Sequence, residues 1–259
     1  QPNILHGILL MLVLPLGAAS HFRTKVWRTN VEFWQDNVKK APNKARTHNN
    51  LGVSLSEAGR TKESIIAYKK AIDLDKYYRD PFSNLAVAYS FDGEIDKAID
   101  SLKQAIHVCP EYAEAYNNLG SLLTQKDNLE AAEKALNIAL KLRPHYGKAC
   151  YNFARLYEKK KQPEKIWEYL KKATEGDLDI PDVFFKLGKM SMQLEKYTDA
   201  LEAFEQAISR GYQASEAYFN LANAHFMLKN IDRAQLIYER LVADNPTEMK
   251  YAFNLAETL

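Results

Sequence analysis

The sequence has few of the residues that interrupt helices. Only 9 prolines and 10 glycines occur in 259 residues, whereas alanine, leucine, lysine and glutamate are abundant, as in helices joined by short turns. An excess charge of one sign is also missing: 35 Lys and Arg accompany 33 Asp and Glu, which argues against a nucleic-acid partner. Because 46% of the residues are hydrophobic, the composition is that of a folded chain. It predicts an all-α fold.

Residues in catalytic or metal-binding patterns are scarce. Cys109 and Cys150 have no metal-ligand spacing, and we interpret both as structural thiols. The six histidines form no H-E-x-x-H pair. The sequence contains neither a glycine-rich phosphate loop nor a G-x-S-x-G elbow. We therefore expect no enzymatic activity, no cofactor and no metal site in this segment.

One internal period of 34 residues runs from Ala45 to the last residue. Its units begin at Ala45, Arg79, Ala113, Gly147, Pro181, Ser215 and Met249. Six units are complete, and the seventh contains one helix; positions given below are counted from these starts. The predicted divisions are an apolar segment over 1–20, a half-repeat over 21–44 and the repeats over 45–259.

Each unit carries the pattern of two packed helices. A small residue stands at position eight, as in Gly120, and apolar or small residues at positions 20, 24 and 27 form one stripe of a second helix. Proline at position 32, as in Pro144, ends that helix. The pattern W-x-x-L-G-x-x-Y, then A, F, A and P, resembles the tetratricopeptide repeat. The third unit retains it as Tyr116, Leu119, Gly120, Ala132, Leu136, Ala139 and Pro144.

The resemblance implies a right-handed superhelix of antiparallel helix pairs, an α-solenoid whose first helices line a concave groove. It also implies a protein or peptide partner. Units four and five depart from the pattern at position 32, where Leu178 and Tyr212 replace proline. We expect the helices on either side to form nonetheless.

Position six is the candidate binding position, because six of its seven residues are asparagine. They are Asn50, Asn84, Asn118, Asn152, Lys186, Asn220 and Asn254. A primary amide both donates and accepts, so a row of amides can hold a peptide backbone regardless of its sequence. The row is similar to the asparagine ladder of the O-linked N-acetylglucosamine transferases, which implies recognition of an acceptor's main chain. The alternative is that these amides pack helices together.

Further residues on the same face would complete the predicted site. The peptide-binding set adds Tyr151, Arg155, Phe185, Lys189, Phe219 and Asn223, and neighbouring positions are Arg46, Asn49, Asn117 and Phe226. Capture of a chaperone's acidic tail needs cations in consecutive units, which the first three units lack.

Before the repeats, residues 4–19 are almost wholly apolar and are followed by basic residues. We interpret this run as the end of a transmembrane helix and the chain as membrane-associated. A signal peptide and a buried core helix are the alternatives. The half-repeat that follows carries Trp34 and Pro42 at the aromatic and closing positions of a second helix.

This junction resembles that of multispanning membrane glycosyltransferases with tetratricopeptide tails, including the transmembrane O-mannosyltransferases. The resemblance implies an acceptor-recognition tail whose catalytic part lies upstream. The resemblance places the repeats on the lumenal or periplasmic side of the membrane, whereas the basic residues after the apolar run favour the cytoplasmic side. The side of the membrane therefore stays open. A third hypothesis is an oligomerising scaffold that pairs with a second copy through its C-terminal end.

Overall fold

The computed structural model describes residues 29–259, and all regular secondary structure in that range is helical. The helices are α1 (Asn30–Lys40), α2 (Ala45–Glu57), α3 (Thr61–Leu74), α4 (Asp80–Phe91), α5 (Ile95–Val108), α6 (Ala113–Gln125), α7 (Leu129–Leu142), α8 (Gly147–Lys159), α9 (Pro163–Glu175), α10 (Pro181–Gln193), α11 (Tyr197–Ser209), α12 (Ser215–Met227), α13 (Ile231–Asp244) and α14 (Met249–Ala256). They pack in consecutive antiparallel pairs, which confirms the all-α fold of paired helices.

The described residues form two compact units, which divide between Glu111 and Tyr112. In the described part of the first unit, α2 pairs with α3 and α4 with α5. Helix α1 precedes them and packs on α2, where Val31 lies against Leu55. A capping box starts α1, because Thr29 and Glu32 exchange side-chain and backbone hydrogen bonds. This helix occupies the segment assigned to the half-repeat.

The second compact unit contains four helix pairs, α6–α7 to α12–α13, with α14 packed on α13. Alternate helices also touch, α6 with α8 and α10 with α12. The largest core cluster lies around α8 and α9 and buries Phe153, Leu156 and Leu170 completely or nearly so. Successive first helices of this unit are therefore neighbours, as the candidate site requires.

Close approach of the two helices in a repeat depends on the small residue at position eight. A Cβ built on Gly120 would lie 2.6 Å from the Leu136 side chain, and one built on Gly188 would lie 2.5 Å from the Phe204 ring. Leu136 and Phe204 each occupy position 24 of the repeat that contains the glycine they contact. The second helix thus inserts its central side chain against the first helix at the point where that helix has no side chain.

The turn between paired helices uses a left-handed residue at position fifteen. Gly59 and Gly93 supply it in the first two repeats, with φ of +74° and +80°. The next four repeats place Asp127, Lys161, Glu195 and Lys229 there, with φ between +55° and +64°. In each turn the following N–H donates to the carbonyl five residues earlier, as Glu94 does to Tyr89 at 2.9 Å. This is the Schellman closure of a helix C-terminus.

Repeats four and five, which have Leu178 and Tyr212 in place of a closing proline, end their second helices differently. Leu178 is buried and lies against Gly147, while Gly176 packs backbone to backbone on the same glycine. Tyr212 stacks on Phe185 with ring centroids 4.5 Å apart. Burial of Leu178 at one junction and ring stacking of Tyr212 at the other replace the proline ring, and the flanking helices are formed as expected.

In the described range, none of the helices combines the length and hydropathy needed to cross a bilayer. The apolar run at 4–19 lies outside that range. Its assignment as a transmembrane segment stays a prediction.

A substitution at Gly93 isolates the backbone requirement of the turn. No atom lies within 4 Å of a Cβ added there, so Gly93→Ala introduces left-handed strain without a clash. We expect a loss of about 1 kcal/mol and a fall of roughly 2–4 °C in the thermal midpoint, measured by circular dichroism. Gly93→Asn is the matched control, because asparagine tolerates this conformation. Equal midpoints for the two variants would contradict this explanation.

Candidate functional site

Every position-six residue lies on a first helix and is half-buried. Asn50 is on α2 and Asn84 on α4 in the first compact unit; the second unit holds Asn118 on α6, Asn152 on α8, Lys186 on α10, Asn220 on α12 and Asn254 on α14. Each side chain therefore keeps some access to solvent. Each also reaches protein neighbours, and these contacts differ along the row.

In the first compact unit, three amides are joined by hydrogen bonds. The Asn84 amide nitrogen donates to the Asn49 side-chain oxygen at 3.0 Å. The Asn49 nitrogen donates to the Asn50 oxygen at 3.4 Å and to the Tyr78 hydroxyl at 3.3 Å. Asn49, at position five, therefore links two successive position-six residues. It is only 5% exposed.

The second compact unit repeats this arrangement on α6 and α8. Asn152 donates to the Asn117 side-chain oxygen at 2.8 Å, and Asn117 donates to the Asn118 oxygen at 3.1 Å. Asn117 is 4% exposed. We expected Asn49 and Asn117 to add open groove surface, but the structure buries both as links between neighbouring amides. The consecutive asparagines in the sequence were the only signal of this role.

Lys186 interrupts the row but makes the same inter-repeat contact. Its ammonium donates to the Tyr151 hydroxyl at 2.6 Å, and Tyr151 occupies position five of the preceding repeat. It also pairs with Asp182 at 2.9 Å. Burial lowers the pKa of Lys186, but the hydrogen bonds to Tyr151 and Asp182 outweigh burial and raise it above its usual value. Lys186 is thus a cation held in place by Tyr151 and Asp182, and we call it the held cation.

The last two amides have different partners. Asn220 donates to the Glu216 carbonyl of its own helix at 2.8 Å. Asn254 donates to the Asn223 side-chain oxygen at 3.0 Å, and the Tyr238 hydroxyl donates to the same oxygen. In the repeats that precede Asn220 and Asn254, position five is phenylalanine (Phe185 and Phe219), which has no side-chain oxygen to accept a hydrogen bond. This substitution explains why the regular pattern ends.

The remaining predicted site residues divide into exposed and packed groups. Arg155 is exposed and donates to the Ser121 hydroxyl at 3.4 Å. Lys189 pairs with Glu216 at 3.2 Å and lies over the Phe185 ring. Phe185 itself is 4% exposed. Phe219 is half-buried and packs against the Tyr251 ring, 5.3 Å between centroids. The cations therefore offer more surface to a ligand than the aromatic rings do.

In the described part of the chain, no three His, Cys, Asp or Glu side chains cluster as metal ligands. Cys150 is buried, and burial raises the pKa of its thiol. Cys109 is half-buried and accepts a hydrogen bond from Arg79 at 3.4 Å.

Two lysines on α10 test the held-cation description. Lys186→Met removes hydrogen bonds to Tyr151 and Asp182, and we expect a loss of about 1 kcal/mol after allowance for partial exposure. Lys189→Met removes one exposed ion pair with Glu216 and a cation–π contact with Phe185, and it is expected to cost less than about 0.5 kcal/mol. Thermal denaturation of both variants measures the difference. A larger effect at Lys189 would contradict the assignment.

Comparison with known families identifies the repeat. A tetratricopeptide-repeat model matches residues 45–78, 113–146 and 147–177. A second model, described as TPR repeat, matches 92–126, and a third, also of the tetratricopeptide repeat, matches 185–249. Together these matches extend over well more than half of the chain. No curated protein sequence matches it significantly.

Solved structures agree with the family models. PilF of Pseudomonas aeruginosa is 20% identical, with 82% of this chain and 97% of that one covered and a TM-score of 0.67. YrrB, described as a TPR protein with an unusual peptide-binding site, is 22% identical, with coverages of 74% and 98% and a TM-score of 0.57. A chain of the APC/C hetero-tetramer Cut9–Hcn1 is 18% identical over 87% of this chain, with a TM-score of 0.62; this chain spans 45% of its length. These likenesses show the fold, and with the family matches they establish that the chain belongs to the tetratricopeptide-repeat family.

Proposed function

We propose that this chain is a scaffold that binds an extended segment of a partner protein along its first helices. The observation that carries the proposal is the row of half-buried amides at position six on successive first helices. Side-chain amides have the donor and acceptor groups that a peptide backbone requires. The bound segment would contribute its main chain, so recognition would tolerate many sequences.

The internal hydrogen bonds of the row are compatible with such a role. Asn152 uses its nitrogen toward Asn117, and Asn118 uses its oxygen toward the same residue. An amide nitrogen has two N–H groups and its oxygen has two lone pairs, so each side chain retains further hydrogen-bonding capacity. Packing and ligand binding therefore need not be alternatives at these positions.

Two exposed cations give one part of the row a preference for an acidic partner segment. Arg155 and Lys189 are exposed on adjacent first helices, α8 and α10, and both occupy position nine. Arg155 contacts Ser121, and Lys189 forms one exposed ion pair. A partner segment crossing these helices would gain from an acidic side chain here.

Family membership supports the general role. A peptide-binding site is named for YrrB, and an assembly of two proteins is named for Cut9–Hcn1. Stacked helical repeats provide extended surfaces for such contacts.

The proposal includes membrane attachment through residues 4–19. This run contains apolar residues broken by His6 and Pro15, and basic residues follow it. An apolar stretch of this kind can form part of a membrane-spanning helix. The acceptor-recognition role and pairing with a second copy through the C-terminal end stay hypotheses raised by the sequence.

The row is tested by removing three of its amides together. Peptides selected from a random phage-displayed library on the detergent-purified full chain serve as probes, with dissociation constants measured by fluorescence anisotropy. In the Asn118→Ala, Asn152→Ala, Asn220→Ala triple variant we expect affinity to fall by at least about tenfold, since each lost hydrogen bond is worth about 0.5–1.5 kcal/mol.

Asn137→Ala is the matched control, because Asn137 is an exposed asparagine on second helix α7. Its affinity should equal that of the parent. Circular dichroism must show unchanged helicity in both variants. If the folded triple variant keeps the parent's affinity, the amides only pack helices and the proposed site is wrong.

Membrane attachment has a separate test. The full chain should stay in the membrane pellet after alkaline carbonate extraction. Leu10→Arg with Leu12→Arg should release it, because each central arginine costs about 2.5–3.5 kcal/mol on insertion scales. Mass spectrometry of the N-terminus distinguishes a cleaved signal peptide. Recovery of the uncleaved parent in the carbonate supernatant would refute attachment.

A further inference from the structure

The buried amide of Asn117 lies between two residues of the proposed binding row. Its nitrogen donates to Asn118 on the same helix, and its oxygen accepts from Asn152 on the next first helix. Asn117 is 4% exposed, whereas Asn118 and Asn152 are half-buried. It therefore has little surface for a ligand, but it contacts both side chains that have more.

These two hydrogen bonds fix opposite ends of two otherwise identical amides. The oxygen of Asn118 is directed to Asn117, so its two N–H groups are the groups left for another partner. The nitrogen of Asn152 is directed to Asn117, so its oxygen is left to accept. Without Asn117, each amide could rotate by half a turn at little cost and present either end.

We propose that Asn117 is a positioning residue that sets Asn118 to donate to a backbone carbonyl and Asn152 to accept from a backbone N–H of the bound segment. The inference rests on the proposed function and specifies its chemistry. One peptide group presents one C=O and one N–H, so an oriented donor and acceptor on successive repeats match a main chain. Unoriented amides would lose affinity to rotamer entropy on binding.

The first compact unit contains the same arrangement independently. Asn49 is 5% exposed, accepts from Asn84 and donates to Asn50. The three residues occupy positions five, six and six, as Asn117, Asn118 and Asn152 do. The same bridge therefore forms in both repeats that carry asparagine at position five. Asn49 is accordingly assigned the same positioning role.

In the repeat that follows Asn117, position five still supplies an acceptor although the residue is no longer asparagine. Tyr151 replaces asparagine there, and its hydroxyl accepts from Lys186 at 2.6 Å. The position-six residue is thus held by the preceding repeat in this case also. A lysine presents only donors, so this member of the row cannot offer the alternation of donor and acceptor.

Backbone N-methylation of a bound peptide provides the readout. A selected peptide and its single N-methyl derivatives are titrated against the full chain. For the parent, we expect methylation at one or two positions to weaken binding by about three- to tenfold, the value of one hydrogen bond. Asn117→Leu should weaken the unmodified peptide and reduce that methylation penalty to less than about twofold, because Asn152 is no longer oriented.

Asn117→Asp keeps the acceptor for Asn152 but loses the donor to Asn118, so it should preserve the methylation penalty while weakening the unmodified peptide. If Asn117→Leu loses helicity by circular dichroism, Asn117→Ala takes its place. A purely structural Asn117 would weaken all the peptides by one common factor, and that result would overturn the inference. Parent chains that bind peptide without any methylation penalty would also overturn it, while leaving peptide binding intact. A parent that binds no peptide would refute the proposed function itself, and this inference with it.

Discussion

The close contact between the two helices of each repeat is the constraint on which the other features depend. At position eight the first helix carries glycine or alanine, and the position-24 side chain of the second helix fills the space. This contact fixes how the first helix is rotated about its own axis. Positions five, six and nine are consequently placed where neighbouring first helices meet. Within each compact unit, the placement of the position-six residues therefore depends on this packing contact.

Much of this packing could be predicted from the sequence, because it depends on residue size and period. Small residues every 34 positions and the apolar stripe of the second helix both report side-chain packing directly. The left-handed turns were harder to predict from the sequence. Lys161 and Glu195 adopt positive φ in a turn that backbone hydrogen bonds close, and neither residue type favours that conformation. The burial of Leu178 in place of a proline also depends on backbone contacts that have no sequence signature.

The candidate site shows a similar division. The row of position-six residues was visible as a pattern, and each of its members lies half-buried on a first helix. Which end of each amide faces its neighbours could not be predicted, because it depends on contacts between residues 35 positions apart, such as Asn152 and Asn117. Asn117 could be recognised as chemically suitable but not as buried. Phe185 was expected to contact a ligand, yet the ring of Tyr212 stacks on it. Tyr212 stands at the end of the same repeat, in place of the closing proline. Its role in ligand contact stays a prediction.

The central claim is that a polypeptide backbone lies along the first helices, and site-specific photocrosslinking measures this directly. Arg155, exposed on first helix α8, is replaced by p-benzoylphenylalanine in the full chain, and Asn137 on second helix α7 is replaced in a parallel sample. The samples are irradiated with a library-selected peptide, and mass spectrometry locates the adducts. The account predicts covalent adducts from position 155 and none from position 137. Adducts from position 137 alone would contradict it.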